Sequence, residues 1–350
     1  MRRPSSPSWL FIVCASTIAL ALNLHAVQDR PGGQGFSFKT GVDLINVTAT
    51  VTDGNGRFVP GLRREDFVVY EDGKPQVISQ FDGERVPVSL GIALDTSGSM
   101  IGDKIIAARA ALNRFLFDLL GPQDEIFLYR FDSLPDLVQP WTTDRQALSR
   151  ALGAVQPRGG TALFDTIGEA VPLAQTGSRR KKAVVLITDG NDTSSRSPLA
   201  QVQQLIRQTE VLVYAIGIDA SGHEPQNHSA AAHRDAPPSP SPFPGRKSPP
   251  HPAAAPPAPV HAPRAPAGST GGVNIDTLRS ITDDSGGRTE LIYSSRDLDP
   301  ATASVADELS RQYFLGYVSS LPKDGRWHSV DVQVRKGPYI VRARKGFIAN

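Results

Sequence analysis

Val88-Ser89-Leu90-Gly91-Ile92-Ala93-Leu94 runs straight into Asp95-Thr96-Ser97-Gly98-Ser99-Met100. The first seven residues form a near-continuous apolar run rather than an alternating one. A strand buried on both faces of a parallel sheet reads this way. The run ends in a loop of acid, hydroxyl and glycine. Downstream, Lys104 to Leu120 carries Ile105, Ala108, Leu112, Phe115, Leu116 and Leu119 at helical spacing. Glu125 to Phe131 reads as a strand, and Asp144 to Val155 as a helix capped by Thr143 or Asp144. Thr161 to Ala174 is a further helix, and Ala183 to Ile187 a second buried strand that ends in Thr188-Asp189-Gly190. Pro198 to Thr209 reads as a helix and Val211 to Ile218 as a third buried strand. Helices and apolar strands in alternation predict an α/β domain with a doubly wound, mostly parallel sheet.

Beyond this core the pattern changes in both directions. Upstream, residues 38–83 read as β-structure. Val42 to Val51 is β-branched and roughly alternating, and Phe67 to Tyr70 and Gln76 to Phe81 follow with turns at Asp53-Gly54 and Asp72-Gly73. Downstream, Ile275 to Ile281, Thr289 to Tyr293 and Ala301 to Tyr313 continue the α/β pattern. Residues 314–350 then turn β again, with runs at Phe314–Ser319, His328–Arg335 and Tyr339–Arg344. Each flank is too small to stand alone. The two are expected to pair into one small β-sandwich-like module, with the α/β domain inserted between them.

Of the 29 prolines in the chain, 13 fall between Pro237 and Pro266, so residues 221–270 are expected to form an extended insertion without a core. Residues 1–26 read as a secretory signal: Arg2-Arg3, the apolar stretch Trp9 to Leu22, and small residues at Ala19-Leu20-Ala21 and Ala26. An uncleaved anchor is the competing reading. No later segment is apolar enough to span a membrane, so a secreted or periplasmic protein is expected. The one cysteine, Cys14, lies inside the apolar stretch, which excludes a disulfide scaffold and a cysteine-based zinc site. Lys+Arg number 37 against 35 Asp+Glu, and this near balance argues against a nucleic-acid binder.

The chemistry concentrates after the buried strands. Asp95, Ser97 and Ser99 can turn their oxygens inward on one tight loop at the carboxyl end of a strand, where open α/β sheets bind ligands. Gly159-Gly160-Thr161 brings a hydroxyl to a helix start, and Asp189 a second carboxylate to a strand end. Two carboxylates and three hydroxyls are hard oxygen donors suited to Mg²⁺ or Mn²⁺, with a coordination position left open. Asp165 reads as a structural hydrogen-bonding residue, Asp192 as a turn or cap residue, and Arg179-Arg180-Lys181-Lys182 as a solvated loop. The histidines of the insertion, His223, His228, His233, His251 and His261, read as solvated linker residues.

Asp95-Thr96-Ser97-Gly98-Ser99-Met100, Gly159-Gly160-Thr161 and Thr188-Asp189-Gly190 together resemble the metal-ion-dependent adhesion site of von Willebrand factor type A domains, over about residues 85–313. Phe58-Val59-Pro60-Gly61-Leu62, Asp66-Phe67, Glu71-Asp72-Gly73 and the tail Arg342 to Phe347 resemble a bacterial "VWFA-related" family of secreted proteins. The resemblance implies a Rossmann-like domain. Asp95, Ser97 and Ser99 would ligate the metal directly, and Thr161 and Asp189 directly or through water. The ligand it implies is an acidic side chain of a partner protein that completes the metal shell. The long Pro-rich insertion departs from that pattern. An exported, non-enzymatic, metal-dependent binding module is therefore expected. The alternatives are a structural cell-envelope protein with a non-functional metal site, and a hydrolytic enzyme using Ser97 or Ser99. The enzyme lacks a general base, because His328 falls in the tail, and Gly-x-Ser-x-Gly, His-Glu-x-x-His and P-loop motifs are missing.

Overall fold

The computed structural model describes residues 43–219 and 273–349. The expected signal, Cys14 and the Pro-rich stretch with its histidines lie outside the described residues. The chain begins with β1 (Asp43–Thr52), β2 (Phe67–Glu71), β3 (Lys74–Gln76) and β4 (Ile78–Asp82). The α/β segment follows as β5 (Val88–Asp95), α1 (Asp103–Arg114), β6 (Glu125–Phe131), β7 (Pro135–Thr142), α2 (Arg145–Ala154), α3 (Leu163–Gln175) and β8 (Lys181–Thr188). It continues through α4 (Leu199–Arg207), β9 (Leu212–Ile218), α5 (Ile275–Thr282), β10 (Thr289–Ile292) and α6 (Leu298–Arg311). The tail is β11 (Tyr313–Ser319), β12 (Trp327–Val334), β13 (Ile340–Arg342) and β14 (Gly346–Ile348).

The central sheet runs β10-β9-β8-β5-β6-β7. β5 pairs in parallel with both β6 and β8, β8 with β9 and β9 with β10. All of β5 is buried, Ser89 and Asp95 included, as its near-continuous apolar run predicts. Leu90, Ile92 and Leu94 pack under α1, α2 and α6 against Ile105, Leu112, Leu148 and Val305. Ala93, with Val184 and Leu186 of β8, packs under α3, α4 and α5 against Ile167, Val171, Val202 and Leu278. The doubly wound class expected from the sequence is thus present. Gly91 sits where Phe127 of β6 crosses the sheet: a Cβ there would lie 2.2 Å from Phe127 Cζ. The chain leaves β5 towards β6 on one side and returns to β8 on the other. The crevice between the carboxyl ends of β5 and β8 is therefore the point where strand order reverses, the position at which such sheets bind ligands.

The flanking segments form two four-stranded sheets, β13-β1-β11-β4 and β14-β12-β2-β3, each combining N- and C-terminal strands. They enclose one core of Val47, Val51, Phe67, Val69, Leu315, Tyr317 and Val332. Tyr317 on one sheet donates its hydroxyl to Glu71 on the other at 3.1 Å.

Several local expectations are corrected. The run Gln76 to Phe81 is not one strand. β3 and β4 belong to different sheets, and Val77 between them is 86% exposed where the chain changes sheet. β7 adds a strand that Pro135 and Pro140 mask in the sequence, and prolines are tolerated there because β7 is an edge strand paired antiparallel to β6 alone. The helix expected over Lys104–Leu120 ends as α-helix at Arg114 and widens to one π-turn over Phe115–Leu119, which buries Phe115 and Leu116. Lys181 is not on a solvated loop. It opens β8, is 1% exposed, and its Nζ donates at 2.7 Å to the Leu309 carbonyl in the last turn of α6. That carbonyl end of the helix favours a cation. Burial lowers the Lys181 pKa to about 8.

Candidate metal centre

Three loops meet above the β5–β8 crevice. The first leaves β5 at Asp95, and its first residue is held to β6: the Thr96 N–H donates to the Phe131 carbonyl at 2.7 Å. The second, 156–162, is laced to the first, with Arg158 N donating to Thr96 O at 2.7 Å and Gly98 N to Gly159 O at 3.0 Å. Gly159 lies at φ +68, a left-handed backbone that lets this strand of loop turn back beside Gly98. The third leaves β8 at Thr188 and is tied to the second, because Thr193 N and Ser194 N both donate to Thr161 O, at 2.9 and 3.1 Å.

The side chains follow from that frame. Asp95 is fully buried. One of its oxygens accepts the Ser97 N–H at 2.8 Å, and the other accepts the Thr188 hydroxyl at 2.6 Å. Ser97 Oγ lies 3.0 Å from Ser99 Oγ, and Ser99 Oγ donates to Asp189 Oδ1 at 2.7 Å. Asp95, Ser97, Ser99 and Asp189 therefore stand in one hydrogen-bonded line, closed at the Asp95 end by Thr188. Thr161 is 4% exposed and its Oγ1 flanks Gly190, at 3.4 Å from the position of a Cβ there. The hydroxyl sits two residues ahead of α3, which begins at Leu163 rather than at Thr161. Ser97 is buried and Ser99 lies at the exposed rim.

Two carboxylates at this depth need positive charge nearby. Burial pushes the Asp95 carboxyl up to about 6, against the bonds from Thr188 and Ser97, and the neighbouring Asp189 adds to the rise. Lys104, in the first turn of α1, answers part of the need: its Nζ pairs with Asp189 Oδ2 and donates to the Ser99 carbonyl at 3.1 Å. Among the described residues there is no group of three or more His, Cys, Asp or Glu side chains able to hold a metal. The donors gathered here are all oxygens, two carboxylates and three hydroxyls, and they fit a hard divalent cation better than a soft one.

Sequence spacing singles out neither Thr188 nor Lys104. Thr188 was legible as a neighbour of Asp189, but not as a donor to a carboxylate on the adjoining strand. The signal Lys104 carries is its place in the first turn of a helix, where a cation opposes the dipole and calls for an acceptor. Asp165 and Asp192 hold the structural roles expected of them. Asp165 accepts Arg196 N and Ser197 N at 2.9 Å each, and Asp192 accepts Phe164 N at the start of α3 at 3.1 Å. His328 lies on β12, hydrogen-bonded to Asp72 at 2.8 Å and Asp324 at 3.3 Å, and is not a base for Ser97 or Ser99. Among the described residues no helix is long and apolar enough to cross a membrane.

Residues 90–191 match the family model of the von Willebrand factor type A domain. Inter-alpha-trypsin inhibitor heavy chain H4 from Bos taurus is 30% identical over 154 residues, which is 39% of this chain and 17% of that protein. The chain thus spans about a sixth of the length of that curated relative. Among solved structures, von Willebrand factor type A from Catenulispora acidiphila is 14% identical, with TM-score 0.47, covering 89% of this chain and 74% of that one. The vWF domain of the type V pili tip protein Mfa5 from Porphyromonas gingivalis is 26% identical, with TM-score 0.29, covering 31% and 40%.

Proposed function

We propose, for a chain that carries a von Willebrand factor type A domain over residues 90–191, that it works as an exported, metal-dependent protein-binding module of the adhesion type. Asp95, Ser97, Ser99, Thr161 and Asp189 would hold Mg²⁺ or Mn²⁺. When bound, such an ion supplies a Lewis-acidic position open to a carboxylate oxygen of a partner protein. The chain's own residues do the rest. Asp95 and Asp189 provide the charge, Ser97 and Ser99 the neutral oxygens between them, and Thr188 orients Asp95 by donating to its Oδ2. The laced loops keep these atoms in place in advance, so little ordering remains to be done on binding.

The observation that carries this reading is the line Asp95, Ser97, Ser99, Asp189 across the strand-order reversal, with both carboxylates withdrawn from water. A site built for hydrolysis by Ser97 or Ser99 needs a free base in reach; His328 is committed to the second sandwich sheet, and Asp189, which accepts the Ser99 hydroxyl, is already paired with Lys104. The secretory reading of residues 1–26 supports a secreted or periplasmic location.

A thermal melt tests the metal. A ligand that binds only the folded state raises the midpoint by mass action, by about 2.7 kcal/mol at roughly a hundredfold excess over Kd. That corresponds to about 5–10 °C for a domain of this size. Adding Mg²⁺ or Mn²⁺ after EDTA is expected to raise the midpoint of the wild type and not that of Asp95→Ala. An equal rise in both would place the metal elsewhere.

A further inference from the structure

Lys104 already puts a positive charge into the proposed metal site. It stands in the first turn of α1, the positive end of the helix dipole, where a cation is disfavoured unless something else holds it. What holds it is the site. Its Nζ donates to the Ser99 carbonyl at 3.1 Å and pairs with Asp189 Oδ2. The Asp189 side chain is 0% exposed and that of Lys104 23%, so the ammonium closes the carboxylate off from water. Asp189 spends its other oxygen on Ser99 Oγ. The two oxygens are thus satisfied by one hydroxyl and one ammonium, and the second of these occupies the lone pairs a divalent ion would need.

We propose that Lys104 is a tethered counter-cation: it neutralises Asp189 while no metal is bound, and it leaves Asp189 Oδ2 when a divalent ion takes that oxygen. The inference rests on the metal-binding reading above. A hard cation sits about 2.1 Å from a ligating oxygen. The ammonium on the same oxygen would then stand within a few ångströms of it, and like charges at that separation in a buried site repel strongly. Metal uptake is therefore an exchange, one ammonium out and one divalent ion in. The side chain can make the move, because its four-carbon stem is flexible and it is already partly at the surface. Two consequences follow. The site keeps its hydrogen-bonded geometry without metal. The apparent metal affinity is the intrinsic affinity reduced by the fraction of molecules in which Lys104 has swung away.

Calorimetric titration of the full chain with MnCl₂, on wild type, Lys104→Met and Lys104→Arg, tests this, with each protein also melted in EDTA. If the swung-out fraction is near a tenth, Lys104→Met binds Mn²⁺ about tenfold more tightly than wild type. It also melts lower in EDTA, because Asp189 has lost its counter-charge. Lys104→Arg keeps a cation at the site and is expected to bind Mn²⁺ no more tightly than wild type and to recover the EDTA midpoint. Lys104→Gln serves the same comparison if the methionine variant does not fold. A folded Lys104→Met that binds Mn²⁺ no more tightly than wild type overturns the role of Lys104 and leaves the metal site standing. Uptake of Mn²⁺ by none of the three proteins, with acetate present as well as without it, overturns the metal reading, and this inference with it.

Discussion

Asp95 and Asp189 leave paired strands at the same end of the sheet, and the residues around them divide the work of keeping two buried carboxylates together. Thr188 and the Ser97 N–H serve Asp95, while Ser99 and Lys104 serve Asp189. A second acid–base group lies in the sandwich. The hydrogen bond to Asp72, helped by Asp324, lifts the His328 imidazole above its ordinary pKa despite burial. His328 in turn holds Asp72 below the usual carboxylate range, and the Arg326 N–H with His328 holds Asp324 below it. The histidine's contribution to stability is complete below its unfolded pKa of about 6.5 and is lost as pH rises through the raised folded value. Those of Asp72 and Asp324 are present above about 3.9 and are lost as pH falls through their depressed folded values. The group therefore stabilises most between about pH 4 and 6.5. The melting midpoint of wild type is expected to fall more between pH 6 and 8, on the order of those pKa values, than that of His328→Gln. Parallel curves for the two proteins would remove the ion pairs from the account. The proposed metal donors could be named from sequence because each lies at a strand end or in a glycine loop, where local spacing places them. Lys104 and Lys181 could not, because their partners, Asp189 and the Leu309 carbonyl, come from distant elements.

The elements that present the site are set by packing that the sequence partly displays. β5 was legible because a near-continuous apolar run without alternation, broken only by Ser89, has one reading in an α/β chain. β7 and the division of β3 from β4 were not, since proline suppresses a strand reading and a change of sheet leaves no periodicity behind. Gly91 in the middle of β5 is required by the Phe127 ring. Gly91→Ala forces that ring to move inside a packed core and is expected to cost about 1–3 kcal/mol in urea unfolding. A cost near zero would mean that Phe127 has room the packing does not show. Asp144, whose Oδ1 accepts Gln146 N at 2.9 Å and Ala147 N at 3.1 Å, caps α2. Asp144→Ala is expected to lose about 0.5–2 kcal/mol by the same measurement.

In the whole molecule, the sandwich and the α/β segment are joined through Glu308 on α6. It accepts from Thr50 of β1 at 3.0 Å and from the Tyr214 hydroxyl of β9 at 2.8 Å. It also pairs with Arg288 at 2.9 Å and with Arg342 of β13. The two arginines overcome burial and hold its carboxyl below the usual range. Glu308→Ala takes a carboxylate from both guanidinium groups, while Arg288 keeps Glu290 and Ser304 and Arg342 keeps the Gly286 carbonyl, so the loss is expected to stay below the about 3 kcal/mol of a fully buried pair. Urea unfolding of this variant is expected to show either that loss in one transition or a separation into two. An unchanged single transition would mean that the joint lies elsewhere. That the two flanks share one sandwich was inferable because neither could close a core alone. That α6 is bolted to it through a polar cluster was not, because the partners come from β1, β9 and β13.

Whether the Asp95 loop holds the proposed divalent cation can be read by counting Mn²⁺ bound per chain by electron paramagnetic resonance, in wild type and Asp95→Asn, with and without acetate as a stand-in for a partner carboxylate. One Mn²⁺ per wild-type chain is expected, bound more tightly when acetate is present, and none at this site in Asp95→Asn. Equal uptake by both proteins, or none by wild type even with acetate, would rule the metal site out.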